Sequence, residues 1–317
     1  MRIRNRFSSQ RINRTLLSFL VLLLTIVLAT GCASQQSKAE KIPVSIDYDK
    51  AVVSYLGPEG TYTEAACGSF FEHKGEYVPY ETVNDAVTAL SDGKSNYAVI
   101  PQENTIGGAV TDYTDTLIDH PEVSVVGEVE LPIDQNLLTL KDAELSGIKT
   151  VYSHKQGIAQ GKEWLAENLP DAEVIEVSST AEGAKMVAEG GDTSCAAIAS
   201  AGAAEVYGLE ILAPNIQNND KNKTRFYALS VGEAGTADAK RLAFIVKGSA
   251  EELPELMDKM EDEGITLVTI HDRPQKTELG EYYYLIECED MTYDDYTKLT
   301  EKSDFEFRYL GSFDVAE

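Results

Sequence analysis

The sequence has little of what usually builds a metal centre or a disulfide framework. It contains four cysteines and four histidines, and no two cysteines have the CxxC spacing. This scarcity argues against a structural metal site and predicts that Cys67, Cys195 and Cys288 are buried free thiols. Cations are also few, with 27 Lys and Arg against 53 Asp and Glu. Such an acidic chain is a poor partner for nucleic acid or an anionic membrane surface.

The start of the chain departs from this acidic composition. Residues 1–31 hold five arginines and no acid, and an apolar run from Leu16 to Ala29 precedes Thr30, Gly31 and Cys32. A basic start, a short apolar stretch and small residues predict a secretory signal peptide at 1–31. Its end resembles a bacterial lipobox, which implies lipidation of Cys32. An uncleaved membrane anchor with an incidental cysteine is the alternative.

Cleavage there would leave a polar tether at residues 32–48 and place the protein outside the cytoplasm, touching the membrane only through its lipid. It would remove five of the 27 cations and no acid, so that 22 cations face 53 acids and the net charge is −31. The overall field would then repel an anionic substrate, and local positive groups would have to attract it.

The region from residue 51 alternates short apolar runs with helical patterns. Predicted strands are residues 52–56, 97–100, 148–152, 174–177 and 195–199. Three of them run into Ser or Thr residues with capping spacing, at Thr61, Ser153 and Ser179. The alternation predicts an α/β domain with a mainly parallel sheet, whose ligands bind beyond the carboxyl ends of the strands.

From Lys240 onward the order of elements changes. Strands at 241–246, 265–271, 281–288 and 305–313 alternate with helices near 253–260 and 293–300. This is the βαββαβ order of a ferredoxin-like unit, and it predicts a second domain at 240–317.

Four segments of the α/β region match, in order and spacing, the signatures of one family. They are residues 57–66 (GPEGTYTEAA), 99–108 (VIPQENTIGG), 153–156 (SHKQ) and 222–226 (NKTRF). Together they resemble the prephenate dehydratase family, over about residues 51–317 once the tail is included. The resemblance implies a two-lobed catalytic domain of the periplasmic-binding-protein type at 49–231. It also implies that prephenate is the substrate and is converted to phenylpyruvate with loss of carbon dioxide and water.

The resemblance carries residue roles with it. Thr224 would polarise the leaving hydroxyl, and Glu103 and Asn104 would complete the catalytic group. Aromatisation of the ring drives this reaction, so neither a metal nor an organic cofactor is implied. The residues assigned to substrate binding are Gln156, Ser179, Thr180, Arg225 and Thr61. For Gln156, Ser179 and Thr180, helix capping is the competing interpretation, and Arg225 could instead brace the junction between lobes.

Two departures from the family pattern stand in these motifs. Gln102 replaces an apolar residue, and Lys155 replaces proline and could add positive charge at the cleft mouth. If 224–230 is a strand, Thr224 and Phe226 share one face and Arg225 the other. A bulge or a strand end would be needed for all three to line one cleft.

The tail resembles an ACT domain that binds phenylalanine. Asp272, Arg273 and Pro274 stand in the family's effector motif, whereas a second effector loop, residues 248–251, is poorly kept. A weak phenylalanine effect and a homodimer or homotetramer follow from this resemblance. The competing interpretations are an arogenate dehydratase, or a non-catalytic solute-binding lipoprotein, which the location outside the cytoplasm would favour.

Overall fold

The computed structural model describes residues 46–232, 235 and 239–316. The predicted signal peptide 1–31, Cys32 and most of the tether therefore lie outside the described residues. Within the described part of the chain, no helix has the length and apolar character needed to cross a membrane.

The first lobe is built on a mixed sheet. Its elements before the first crossover are β1 (Val52–Leu56), α1 (Tyr62–Phe70), β2 (Glu76–Tyr80), α2 (Val83–Ser91), β3 (Tyr97–Asn104), β4 (Gly108–Ala109), α3 (Thr111–Asp119) and β5 (Val123–Pro132). The strand order is β16-β5-β11-β3-β1-β2, with β4 on β3, where β11 (Lys223–Val231) and β16 (Val315–Ala316) come from later in the chain. Strands β1, β2 and β3 are parallel, whereas β11 runs antiparallel to both its neighbours.

The second lobe carries a five-stranded sheet in the order β10-β6-β9-β7-β8. Its elements are β6 (Asn136–Thr139), β7 (Thr150–Ser153), α4 (Lys155–Gln160), α5 (Lys162–Asn168), β8 (Glu173–Glu176), α6 (Thr180–Gly190), β9 (Cys195–Ala199), α7 (Ala201–Tyr207) and β10 (Glu210–Ala213). All five strands predicted upstream of residue 200 are present. The expectation of mainly parallel sheets is wrong, because the chain crosses between the lobes twice and returns antiparallel in each sheet.

The C-terminal unit has the predicted βαββαβ order. It consists of β12 (Arg241–Ser249), α8 (Leu253–Asp262), β13 (Thr266–Pro274), β14 (Glu281–Glu289), α9 (Tyr293–Glu301) and β15 (Glu306–Phe313). The strands form an antiparallel sheet in the order β13-β14-β12-β15, which is a ferredoxin-like arrangement.

Strand alternation gives the C-terminal sheet two apolar faces. On β12, Leu242 and Phe244 pack with the helices of the unit, whereas Ala243 and Ile245 pack with the core of the first lobe. Two-residue periodicity accounts for this division. Because its second face is buried against the first lobe, the C-terminal sheet packs against one face of β3 and β11.

The three described cysteines are free thiols, as predicted. Cys67 and Cys288 are buried, and burial raises the pKa of both. Cys195, at the start of β9, is only partly buried, so the expectation of burial is wrong for this residue.

Candidate functional site

A cleft of about 580 Å³ lies between the two lobes. It is lined from the first lobe by residues that follow β1 and β3, and from the second by residues that follow β7 and β8. The carboxyl ends of parallel strands are where open α/β sheets bind ligands. Six of the eight residues predicted for catalysis or substrate binding line this cleft: Thr61, Asn104, Gln156, Ser179, Thr180 and Thr224.

Asn104 and Thr224 form a hydrogen-bonded pair in the cleft wall. They are opposite each other on β3 and β11, and Asn104 Nδ2 donates to Thr224 Oγ1 at 2.9 Å. Nδ2 also faces Asn222 Oδ1 at 2.9 Å, while Oδ1 of Asn104 accepts from the backbone N–H of Gly107 at 2.9 Å. These partners fix the orientation of the amide, because a flipped amide would place oxygen against oxygen.

This orientation determines what Thr224 can offer to a ligand. Since Oγ1 accepts a hydrogen bond from Asn104, the hydroxyl proton of Thr224 is available as a donor toward the cleft. Both side chains are about nine-tenths buried, with 8% of each residue exposed. A donor held in such a water-poor position stabilises developing negative charge on a ligand oxygen better than a solvated donor does.

A bulge in β3 places Asn104 on the cleft face. Arg225 pairs with Glu103 and Phe226 pairs with Pro101, so Gln102 is an extra residue in the register. Pro101 and Asn104 both line the cleft although they are three positions apart, which simple alternation forbids. On β11, which has no extra residue there, Thr224 and Phe226 line the cleft and Arg225 points away.

Arg225 and Glu103 are therefore outside the lining of the cleft, although both were predicted as site residues. Arg225 Nη2 lies 3.1 Å from Glu103 Oε2, and its Nη1 lies 3.3 Å from Glu128 Oε1 and 3.0 Å from Glu287 Oε1. The predicted role of Arg225 as a substrate carboxylate clamp is at odds with this geometry. The alternative role of Arg225, bracing a junction, fits these contacts. The junction is the one between the first lobe and the C-terminal unit, and not the one between the two lobes.

Helix N-termini from both lobes lie at the cleft. Thr61 caps α1 by accepting from Glu64 N at 3.3 Å, and Ser179 caps α6 by accepting from Glu182 N at 3.0 Å. Residues at the start of α3 also line the cleft, and no side chain caps that helix. Together the three helix ends favour an anionic ligand through their dipoles and unpaired N–H groups.

The predicted capping box at Ser153 does not form. Ser153 ends β7, and its hydroxyl donates to the carbonyl of Ile198 at 2.7 Å. Helix α4 is capped instead by His154. Gln156 is thus not engaged by Ser153, and a Cβ added at Gly107 would collide with Nε2 of Gln156, so these two residues meet across the cleft. Gln156 is available to contact a ligand from the second lobe.

Positive charge in the cleft is concentrated at one residue. Among the described residues that line it, Lys155 is the one Lys or Arg and Asp112 the one acid. Partial burial and the neighbouring Lys155 lower the pKa of His154, which is therefore neutral near pH 7. In a chain this acidic, Lys155 is the local cation that an anionic ligand requires.

Sequence reasoning missed a buried pair deeper in the cleft. Gln135 Nε2 donates to Gln160 Oε1 at 2.8 Å, and both residues line the cleft. Oε1 of Gln135 is buried and lacks a hydrogen-bond partner within the described chain. Gln135 lies in the crossover after β5 and belongs to none of the four signature segments, so no local signal marked it.

The residues predicted to bind an effector lie on β13. Arg273 forms a two-pronged ion pair with Asp115 of α3, with Nε–Oδ1 at 2.6 Å and Nη2–Oδ2 at 2.7 Å, and this pair lowers the pKa of Asp115. Asp272 and Pro274 are exposed. The motif therefore ties the C-terminal unit to the first lobe through Arg273. No cluster of three or more His, Cys, Asp or Glu residues with the arrangement of a metal site occurs in the described ranges.

Fold and site together define a two-lobed α/β protein whose interlobe cleft, at the ends of its strands, has the size and polar lining of a small-molecule site. A family model described as prephenate dehydratase matches residues 53–234. The chain belongs to the prephenate dehydratase family.

Similar proteins agree with this assignment. The chain is 34% identical over 285 residues to a bifunctional chorismate mutase/prephenate dehydratase of Aquifex aeolicus, covering 87% of this chain and 77% of that protein. It is 33% identical over 243 residues to a prephenate dehydratase of Corynebacterium glutamicum, covering 74% and 76%. The crystal structure of prephenate dehydratase in complex with L-Phe from Arthrobacter aurescens superimposes with a TM-score of 0.75 at 29% identity, covering 84% and 90%.

Proposed function

We propose that the protein is a prephenate dehydratase, a carbon–oxygen lyase that forms phenylpyruvate in phenylalanine biosynthesis. The observation that carries this proposal is the Asn104–Thr224 pair, which lies inside the cleft and within two of the family's signature segments. Family membership supports the same conclusion.

The reaction needs a charge-stabilising donor more than it needs a strong acid or base. The bond between the ring carbon and its carboxylate breaks, and its electron pair moves into the ring. As that pair moves through the ring, carbon dioxide leaves and the C–O bond on the opposite side breaks. The electrons of the C–O bond go to the departing oxygen, which takes up a proton from the solvent and leaves as water. The aromatic ring that forms supplies the driving force. Thr224 stabilises the charge that builds on the departing oxygen.

The rest of the cleft binds the two carboxylates of prephenate. Lys155 and Gln156 approach from the second lobe, and the N-termini of α1, α3 and α6 supply N–H groups from both lobes. Glu103 acts indirectly, because it binds Arg225 behind the sheet and follows Gln102 in the bulge. This placement keeps a carboxylate away from a dianionic substrate, which it would repel.

The C-terminal unit is proposed to be an ACT domain that binds phenylalanine weakly. Its βαββαβ order and antiparallel sheet support this proposal, as does a related dehydratase whose structure is a complex with L-Phe. Its edge strands, β13 and β15, are the elements through which we expect chains to pair as a homodimer or homotetramer.

We also propose that the enzyme acts outside the cytoplasm, held by a lipid on Cys32. The order of basic, apolar and small residues in 1–32 supports this location.

A steady-state assay of the full chain with prephenate, following phenylpyruvate, tests the proposed function. Turnover that removal of the Thr224 hydroxyl abolishes would support the dehydratase. Binding of prephenate without turnover would support the non-catalytic alternative. Turnover of arogenate in preference to prephenate would change the substrate and leave the reaction type intact.

A further inference from the structure

Gln102, the residue that departs from the family's apolar pattern, is fully buried and faces the C-terminal unit. Its Nε2 donates to Oε2 of Glu287 on β14 at 3.0 Å, and Glu287 is also fully buried. Burial of a polar side chain costs free energy unless the side chain is hydrogen-bonded. The hydrogen bond between Gln102 and Glu287 therefore offsets the burial of both residues. Gln102 is the extra residue of the bulge that places Asn104 on the cleft face.

Glu287 binds two further groups of the first lobe. Its Oε1 lies 3.0 Å from Arg225 Nη1, and its Oε2 accepts from the Tyr227 hydroxyl at 2.6 Å. Arg225 and Tyr227 lie on β11, and Arg225 follows Thr224 directly. One carboxylate of the C-terminal unit therefore contacts both strands that carry the Asn104–Thr224 pair, from the face opposite the cleft.

Because side chains alternate along a strand, contacts on the sheet face opposite the cleft also set the direction of side chains on the cleft face. Neighbouring residues point to opposite faces, so holding Arg225 behind the sheet fixes the direction of Thr224 in front of it. The hydrogen bond from Gln102 to Glu287 fixes the bulge. The bulge in turn sets the direction of Asn104, two residues later. A misplacement of about 1 Å in such a pair can cost on the order of a hundredfold in rate.

We propose that Glu287 is a positioning residue for the cleft, supplied by the C-terminal unit, which aligns Thr224 and Asn104 through Arg225 and Gln102. The proposal rests on the proposed dehydratase function. It makes the alignment of the Asn104–Thr224 pair depend on the C-terminal unit, and it accounts for a buried glutamine at position 102.

Glu289 provides a matched control. It is two positions further along β14, and it pairs with Arg241 Nη1 at 3.1 Å while its side chain is half exposed. Arg241 Nε also lies 3.5 Å from Glu287 Oε1, so both glutamates face the same arginine. Of these two glutamates, it is Glu287 that contacts both Arg225 and Gln102 in the described part of the chain.

The test uses the full chain and steady-state turnover of prephenate, with thermal melting to measure the folded fraction of each variant. We expect Glu287→Gln to lower kcat per folded molecule about tenfold or more and to change KM less than about threefold, because the groups that bind the substrate are untouched. Glu289→Gln should keep both constants. Gln102→Leu, which restores an apolar residue, should lower kcat less than Glu287→Gln does.

The double variant Gln102→Leu with Glu287→Gln separates positioning from general destabilisation. If Gln102 acts through Glu287, the double variant should be no slower than Glu287→Gln alone. A folded Glu287→Gln protein with wild-type kcat would overturn the proposal, and so would losses that multiply in the double variant. A wild type that does not turn over prephenate would overturn the proposed function and this inference together, whereas the other outcomes leave the function standing.

Discussion

Asn104 donates a hydrogen bond of 2.9 Å to the hydroxyl of Thr224 across two neighbouring strands. The amide is itself held by Asn222 and by backbone N–H groups, so it cannot rotate to take the proton of Thr224 for itself. The bond therefore orients the hydroxyl and reserves its proton for the ligand.

Removing that hydroxyl should affect the rate more than binding. Thr224→Val keeps the shape of the side chain, and we expect kcat to fall at least about a hundredfold, as loss of an oxyanion-type donor typically does. KM should change little, because the donor acts mainly in the transition state. Thr224→Ser should recover most of the rate, and Thr266→Val, at an exposed position on β13, should have no effect. A Thr224→Val enzyme with full kcat would refute this mechanism.

Replacing Lys155 should affect KM more than kcat. As the single Lys or Arg among the described lining residues, it attracts the substrate carboxylates in the ground state and the transition state alike. Lys155→Gln should therefore raise KM roughly three- to tenfold with little change in kcat, and the difference should shrink at high salt. Lys162→Gln, in the following helix and outside the cleft lining, is the control. An unchanged KM would show that Lys155 does not contribute to substrate binding.

The anchoring prediction concerns residues outside the described structure. We expect the native host to remove residues 1–31 and to acylate Cys32, because the chain start combines arginines, a short apolar run and small residues. Mass spectrometry of the mature N-terminus decides the matter, and Cys32→Ser should release the protein from the membrane fraction. An N-terminus at Met1, or beyond Cys32, would be incompatible with a lipid anchor.

The response to phenylalanine should be weak. At the poorly kept loop, Glu252 accepts from the N–H and the hydroxyl of Ser249, both at 2.8 Å, so the loop is already occupied. The adjoining pocket is lined by five acids and repels an amino-acid carboxylate. Calorimetry should give a dissociation constant no lower than roughly 0.1 mM, about 5.5 kcal/mol. Glu252→Gln should tighten it. Micromolar binding with strong inhibition by the wild type would contradict the prediction.

Local patterns in the sequence located most of the strands and the Asn104–Thr224 pair. The βαββαβ order followed from apolar periodicity, and the motifs placed Asn104 and Thr224 in one site. The partner of Arg225 could not be predicted in this way, because Glu287 is 62 residues later in the chain. The bulge was equally hidden, since it is a property of the pairing between β3 and β11 and not of either segment alone.

Glu128 should make the stability of the fold depend on pH. It is fully buried, and burial, followed by the nearby Glu287 charge, raises its pKa to about 8. Its Oε2 has no hydrogen-bond donor within the described chain, which also favours the protonated form. The charged and titratable groups that act on it are Arg225 and Tyr227 on β11, Arg241 on β12 and Glu287 on β14.

Between an unfolded pKa near 4.5 and the folded value of about 8, the folded chain keeps a proton that the unfolded chain releases. The free energy of unfolding therefore falls as the pH rises through this window, by up to about 5 kcal/mol. The protonated carboxyl resembles an amide, so Glu128→Gln should match the wild type near pH 5 and exceed it near pH 9. Urea denaturation of both proteins at several pH values measures the difference in their free energies of unfolding. Contributions from histidines are common to both proteins and cancel in this difference.

Glu130→Gln is the matched control, because Glu130 lies on the same strand but pairs with Lys223 at the surface at 3.1 Å. It should leave the pH dependence unchanged. If Glu128→Gln shows the same fall in stability with pH as the wild type, the assignment of the proton to Glu128 is wrong. The same conclusion follows if the stability of the wild type does not fall between pH 5 and pH 9.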